Sequence, residues 1–226
     1  AAGATTTGSS NVVIGDYAFN ANTTGGSNVA LGKNALGANT TASNNTAVGH
    51  LALEANTTGQ YNVAVGAYAL DLSTTTSNNT AVGYNAMTAT VGAGNVAVGY
   101  SALSANTTGT SLVAVGALAM DANTTGASNV AIGRNSLGVN TTGSTNTAVG
   151  DKTLSANTTA NNNVAVGYQA LEANTTGTQN IGIGSYALDS NTTAANNVGV
   201  GHSSLTANTT GANNVALGSN ALDSNT

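Results

Sequence analysis

The chain has 226 residues, only 5% of them charged, a net charge of −5, and neither proline nor cysteine. Its three cations, Lys33, Arg134 and Lys152, are too scattered to hold a phosphate backbone, which excludes nucleic acid as a partner. The lack of cysteine excludes a disulfide scaffold and thiolate metal sites, and no apolar run is long enough to insert in a membrane.

In chain order, residues 4–10 (ATTTGSS) read as the tail of a repeat whose first full copy starts at Asn11. The unit is plainest at Asn163–Gln179, NVAVGYQALEANTTGTQ. It starts at Asn11, Asn28, Asn45, Asn62, Asn79, Asn95, Leu112, Asn129, Asn146, Asn163, Asn180, Asn197 and Asn214. These thirteen starts are 17 residues apart, except for one step of 16 after Asn79. A fixed period of this length marks a stacked-coil architecture. The abundance of Gly, Asn and Thr alone would suit a disordered chain, but apolar residues are placed too strictly for that. The last residues, Asn225 and Thr226, stop inside a unit. Residues 1–226 thus read as a single repeat array, with ten residues of partial repeat at the start. It is expected to be a segment of a longer fibre or a subunit that stacks end to end.

Within the unit, position 2 is β-branched (Val12, Thr46, Ile181) and position 4 is Val, Ile or Leu in all thirteen copies. Position 3 is Ala or Gly, with Val13 the exception, and position 5 is always Gly. Alternation with period 2 predicts a strand with positions 2 and 4 turned inward. The Gly predicts a bend after it. Position 9 is always large and apolar (Phe19, Leu36, Met87, Leu222), predicting a second short strand around positions 8–9 with residue 9 inside. Positions 12–15, usually Asn-Thr-Thr-Gly, have turn chemistry. Helix is excluded by the poor helix formers that fill the unit.

These elements predict an all-β fold, a parallel β-solenoid or β-roll of about thirteen coils. Stacked at the strand spacing, they would form a rod about 60 Å long. A lone coil cannot offset the entropy of ordering its backbone, so ladders above and below must hold it. The small residue at position 3 is expected to leave a flat outer strip of Ala on which further copies pack, as in a trimer. Two irregularities interrupt the array. The unit at Asn79–Gly94 lacks one turn residue, and the unit at Leu112 lacks its first Asn. Both read as tolerated, the first as a shortened turn.

The strand element NVAVG or NTAVG followed by xxAL or xxSL (Asn45–Leu53, Asn129–Leu137, Asn197–Leu205) resembles the head repeats of trimeric autotransporter adhesins. Units of the form NTAVGYxALxxNTTG also resemble repeats of bacteriophage tail-fibre and related surface-fibre proteins. The resemblance covers the chain from Asn11 onward. It implies a left-handed parallel β-roll assembled as a homotrimer. The 17-residue unit is longer than the adhesin coil, and neither a heptad stalk nor a membrane anchor is visible.

Catalytic constellations do not assemble. The only histidines, His50 and His202, are both at position 6 and nine coils apart. At the strand spacing that is about 43 Å, so they cannot share a site. No nucleophile, base and orienting group come together, and the chain reads as non-enzymatic, without cofactor or metal. Acidic residues recur at position 10: Glu54, Asp71, Asp121, Glu172, Asp189 and Asp223. Pairs such as Glu54 with Asp71 offer oxygens to Ca²⁺, but a solvated acidic edge is the plainer reading.

Each Asn-Thr-Thr turn is an N-x-T acceptor for N-glycosylation: Asn22, Asn39, Asn56, Asn106, Asn123, Asn140, Asn157, Asn174, Asn191 and Asn208. An asparagine ladder would favour the same residues without sugars, and is the plainer account. The adjacent threonines offer alternative O-linked acceptors. Paired threonines also raise ice binding, although neighbours such as Thr23 and Thr24 would point to opposite sides of an extended backbone. Tyrosines at positions 6 or 7 (Tyr17, Tyr68, Tyr84, Tyr100, Tyr168, Tyr186) read as scattered surface residues. The expected role is an extracellular structural fibre or surface shaft on a cell or virion. It would self-associate as a homotrimer or end-to-end filament and carry glycans if the Asn-Thr-Thr turns are modified. The alternatives are an adhesin head or phage tail fibre that binds a receptor or cell-surface glycans, and an ice-binding solenoid.

Overall fold

The structure, a computed structural model, describes residues 7–225. Of the partial repeat read at the start, residues 1–6 lie outside this range, as does Thr226 at the other end. The chain forms two compact units, Ala1–Ser111 and Leu112–Thr226. Unit 1 holds β1 (Val12–Ile14), β2 (Val29–Leu31), β3 (Thr46–Val48), β4 (Val63–Val65), β5 (Thr80–Val82) and β6 (Val96–Val98). Unit 2 holds β7 (Val113–Val115), β8 (Val130–Ile132), β9 (Thr147–Val149), β10 (Val164–Val166), β11 (Ile181–Ile183), β12 (Val198–Val200) and β13 (Val215–Leu217).

Every strand is positions 2–4 of one repeat, and within each unit each strand pairs in parallel with the next. Identical positions face each other, as in Val29↔Thr46 and Val164↔Ile181. The fold is therefore the parallel β-solenoid that the period predicts. The shortened repeat keeps its register, Thr80↔Val96, so the missing residue is absorbed entirely in the turn.

Strands of three residues are too short to hold a coil alone. The turns supply the remaining ladder. Leu36 N–H donates to the Ala52 carbonyl at 3.1 Å, Ala38 to Glu54 at 2.9 Å and Gly49 to Leu31 at 2.7 Å. Most of each coil is thereby hydrogen-bonded to its neighbours, although little of it is strand.

Two expectations about the coil are overturned. Positions 8–9 do not form a second strand; they lie in a turn with left-handed residues at positions 7 and 9, such as Asn34 (φ 59°) and Leu36 (φ 51°). The positive φ at position 9 reverses the chain while still placing its side chain inside. Leucine normally resists this conformation by about 1–2 kcal/mol, which burial and the turn ladder offset.

The strand is also turned the other way. Position 3 is the buried one, with Ala30, Ala47, Ala64, Ala131 and Ala165 fully inside, whereas positions 2 and 4 are half-open in most repeats. The interior is narrow. A Cβ placed on Gly182, at position 3, would lie 3.3 Å from Leu171 Cγ. There is room for a methyl group across from the leucine column and for little more. The core of a coil is thus Ala at 3 and 8, the large residue at 9, and Asn at 1 and 12. No outer alanine strip exists in the described coils; the outer strip is Val, Ile, Leu and Thr.

Candidate functional site

The ten Asn-Thr-Thr asparagines are all buried: Asn22, Asn39, Asn56, Asn106, Asn123, Asn140, Asn157, Asn174, Asn191 and Asn208. Their amides form a ladder along the stack. Asn39 Nδ2 donates to Asn22 Oδ1 at 3.0 Å, Asn140 to Asn123 at 2.8 Å and Asn157 to Asn140 at 2.8 Å. Each amide also holds the carbonyl at position 15 of its own turn, as Asn140 does with Gly143 at 3.0 Å. An N-linked sugar requires that same nitrogen, so the folded coils present no acceptor at these positions. The asparagines thus form the internal polar ladder that is the plainer of the two readings of the Asn-Thr-Thr turn.

A second ladder runs through position 1. Asn45 N–H donates to Asn28 Oδ1 at 2.9 Å, and Asn28 Nδ2 donates to the Ala42 carbonyl at 2.9 Å. Asn39 reaches that same carbonyl at 3.2 Å, so two asparagines of one coil pin one turn. Where the position-12 Asn is absent, Ser73 pairs with Thr76 and Thr90 accepts from Asn106 at 2.9 Å. At position 1 of the Leu112 repeat the leucine is simply buried.

The two threonines of each turn differ. The first continues the ladder, with Thr40 Oγ1 on the Thr57 carbonyl at 3.2 Å and Thr141 on Thr158 at 3.1 Å. The second, as at Thr41 and Thr142, is exposed. The free hydroxyls therefore form single ranks.

The acidic residues at position 10 are half-buried along unit 1 at Glu54 and Asp71 and along unit 2 at Asp121, Glu172 and Asp189; Asp223 is exposed. Burial raises the Asp71 carboxyl above its ordinary 3.8, backbone N–H groups partly oppose this, and Glu54 in the preceding coil raises it further. Asp71 Oδ1 is buried without a hydrogen-bond partner. Burial likewise raises Asp189, with Glu172 adding to it, and raises Asp121. A folded-state pKa above the unfolded value favours folding in acid. The contribution is full below the unfolded pKa and is lost as pH rises through the folded one. The denaturant midpoint is therefore expected to rise as pH falls from about 7 to about 3.5. Asp71→Asn with Asp189→Asn should flatten that rise. A steady fall in the midpoint over the same range would contradict it. The one ion pair among the described residues joins Arg134 to Asp151 of the next coil at 2.8 Å.

No group of three or more His, Cys, Asp or Glu residues able to hold a metal occurs among the described residues, and they enclose no cavity. No helix there is long and apolar enough to cross a membrane. His50 and His202 fall in different units, each at one end of a run of aromatic rings. The tyrosines are thus less scattered than their spacing suggests. Tyr68, Tyr84 and Tyr100 continue from His50, and Tyr168 and Tyr186 lead to His202. Alternation between positions 6 and 7 hides the runs in the sequence. After the position-5 bend, the two positions in adjacent coils reach the same surface.

What remains are two outward surfaces that the sequence did not place: the β-branched strand face and the aromatic runs. No protein-family profile, curated protein or solved structure matches the chain.

Proposed function

We propose that the chain is a structural module of an extracellular fibre or surface shaft, and that its copies assemble side by side through the strand face. The observation that carries this reading is the outward position of residues 2 and 4. Across all thirteen repeats these positions hold only Val, Ile, Leu and Thr. Within the stack of unit 2, Ile132, Ile181 and Ile183 are 40%, 36% and 39% exposed.

An uncharged apolar ladder of this regularity matches a second face like itself. Sheets pack face to face at about 10 Å, with side chains of the two faces interleaved. Three residues by seven strands give unit 2 a face of roughly 10 by 34 Å, and six strands give unit 1 roughly 10 by 29 Å. Each face is roughly 300 Å² in projection and more in accessible area, a substantial part of the ~800 Å² a side of a stable interface. A closed homotrimer would turn this face of every copy inward and leave no further copy to add.

Sedimentation and native mass measurement test the reading. The chain is expected to run as a multimer, three copies for the closed form. Val166→Lys with Ile183→Lys should weaken assembly by at least about a hundredfold, because each lysine would be desolvated without a partner. Their side chains already face outward, so the circular dichroism of the monomer should be unchanged. A wild-type chain that stays monomeric at high concentration, or a lysine variant that assembles normally, would refute lateral assembly.

A further inference from the structure

The aromatic runs are not required by the coil that carries them. In unit 1, His50, Tyr68, Tyr84 and Tyr100 touch in succession, with ring centroids 5.5, 5.7 and 5.8 Å apart. In unit 2, Tyr168, Tyr186 and His202 follow at 5.3 and 6.0 Å. The repeats that start at Leu112, Asn129 and Asn146 form the same strand and bend without a ring. They carry Ala117, Arg134 and Asp151 at position 6, and Leu118, Asn135 and Lys152 at position 7. Such positions tolerate full charge, so aromatic residues there are exposed at a cost in solubility with no necessity from the fold. The chain nevertheless builds the run twice.

We propose that each run is a platform for an uncharged, extended polysaccharide lying along the stacking direction of that unit, its sugar rings against the tyrosines. Three observations fit that ligand. First, the rings recur once per coil at nearly constant pitch, and a pyranose residue of an extended, equatorially linked chain advances by about the same distance. Second, positions 6 and 7 of the repeats in both runs hold no Asp, Glu, Lys or Arg, and the carboxylate that meets a position-7 side chain, Glu172 on Gln169, disfavours an anionic ligand. Third, the rings are open and interleaved with hydrogen-bonding groups. Tyr84 and Tyr100 are parallel to within 8° and 52% and 56% exposed. The other neighbouring rings meet edge to face at 74–84°, with Tyr68 and Tyr186 half-buried, so the runs offer ring edges as well as faces. Asn85 and Ser203, both half-buried, follow Tyr84 and His202 directly in the chain, whereas Ser101 is buried and the Gln169 amide is bonded to Glu172. Tyrosine combines an apolar face for the C–H side of a sugar with a hydroxyl for its rim. With no cavity among the described residues, recognition would run along the ligand rather than at its end.

This inference goes beyond lateral assembly and does not depend on it. The chain has no tryptophan and five of its seven tyrosines lie in the runs, so tyrosine emission reports mainly on the platform. Titration with cellohexaose, xylohexaose and chitohexaose is expected to give saturable changes for at least one of them, tighter than for its disaccharide. Tyr84→Ala with Tyr186→Ala should weaken that binding about tenfold, whereas the corresponding Phe variants, which keep the ring, should stay near wild type. Sedimentation of the same variants reads assembly separately. The proposal is overturned if none of the three hexasaccharides binds at millimolar concentration, or if the Ala variant binds as the wild type does. Binding of decaproline with no response to any sugar would also overturn it, by assigning the rings to an extended peptide.

Discussion

Replacing Asn140 with alanine is expected to destabilise unit 2 by about 3 kcal/mol, more than any exposed substitution in the same turn. Three hydrogen bonds end on this buried amide. Its Nδ2 donates to Asn123 Oδ1 at 2.8 Å and to the Gly143 carbonyl at 3.0 Å, and its Oδ1 accepts from Asn157 at 2.8 Å. Their individual net worth is about 1 kcal/mol, but truncation also leaves buried groups that water cannot reach. The loss is limited because neighbours keep other partners. Gly143 still receives Asn129 at 2.7 Å, and Asn157 still reaches Ala160 at 3.2 Å. Thr142→Ala, which removes an exposed hydroxyl from the same turn, should stay within about 0.5 kcal/mol. In a stacked fold the damage is carried by nearest neighbours. Hydrogen exchange should therefore quicken first in the coils that contain Asn123, Asn140 and Asn157. A measured cost below about 1 kcal/mol would mean that the ladder relaxes around the gap and does not hold the turns in place.

That ladder was legible in the sequence, because an Asn repeated every 17 residues inside an Asn-Thr-Thr-Gly turn has a structural use at every copy. So were the strand at positions 2–4, the inward residue at position 9 and the confinement of the missing residue to a turn. The direction of the strand was not. Period 2 separates two faces of a strand but does not say which one is inside. Placing the larger residues inside failed because the coil is too narrow for them. Ala30 and Leu36 are both fully buried, and an interior that holds the leucine column has little more than a methyl's width left beside it. Near-uniform Ala or Gly at position 3 was the available signal. The left-handed turn was hidden for another reason. Phe19, Leu36 and Met87 adopt φ values of 53°, 51° and 52°, which their residue types disfavour, so nothing local announces them. Only the stack makes that conformation worthwhile.

The position-5 glycine allows backbone strain and stacking to be separated within one unit. Gly133 has φ +132°, and a Cβ there would lie 2.2 Å from the Gly150 carbonyl oxygen and 2.5 Å from its carbon. Both are backbone atoms of the next coil, so no side chain can move aside. Gly218 has nearly the same φ, +123°, but nothing within 4 Å of the added carbon. Gly218→Ala should therefore carry only the conformational penalty, about 1–3 kcal/mol. Gly133→Ala should carry the same penalty plus that of prising two coils apart, on the order of 4 kcal/mol or more in all. Denaturant unfolding of the two variants gives the difference directly. Equal costs would show that the bend needs glycine for its dihedral angles alone. A larger cost at Gly133 would show that the coils approach so closely at the bend that even one methyl group breaks the stack, and that the glycine column sets the spacing at which the two asparagine ladders can meet.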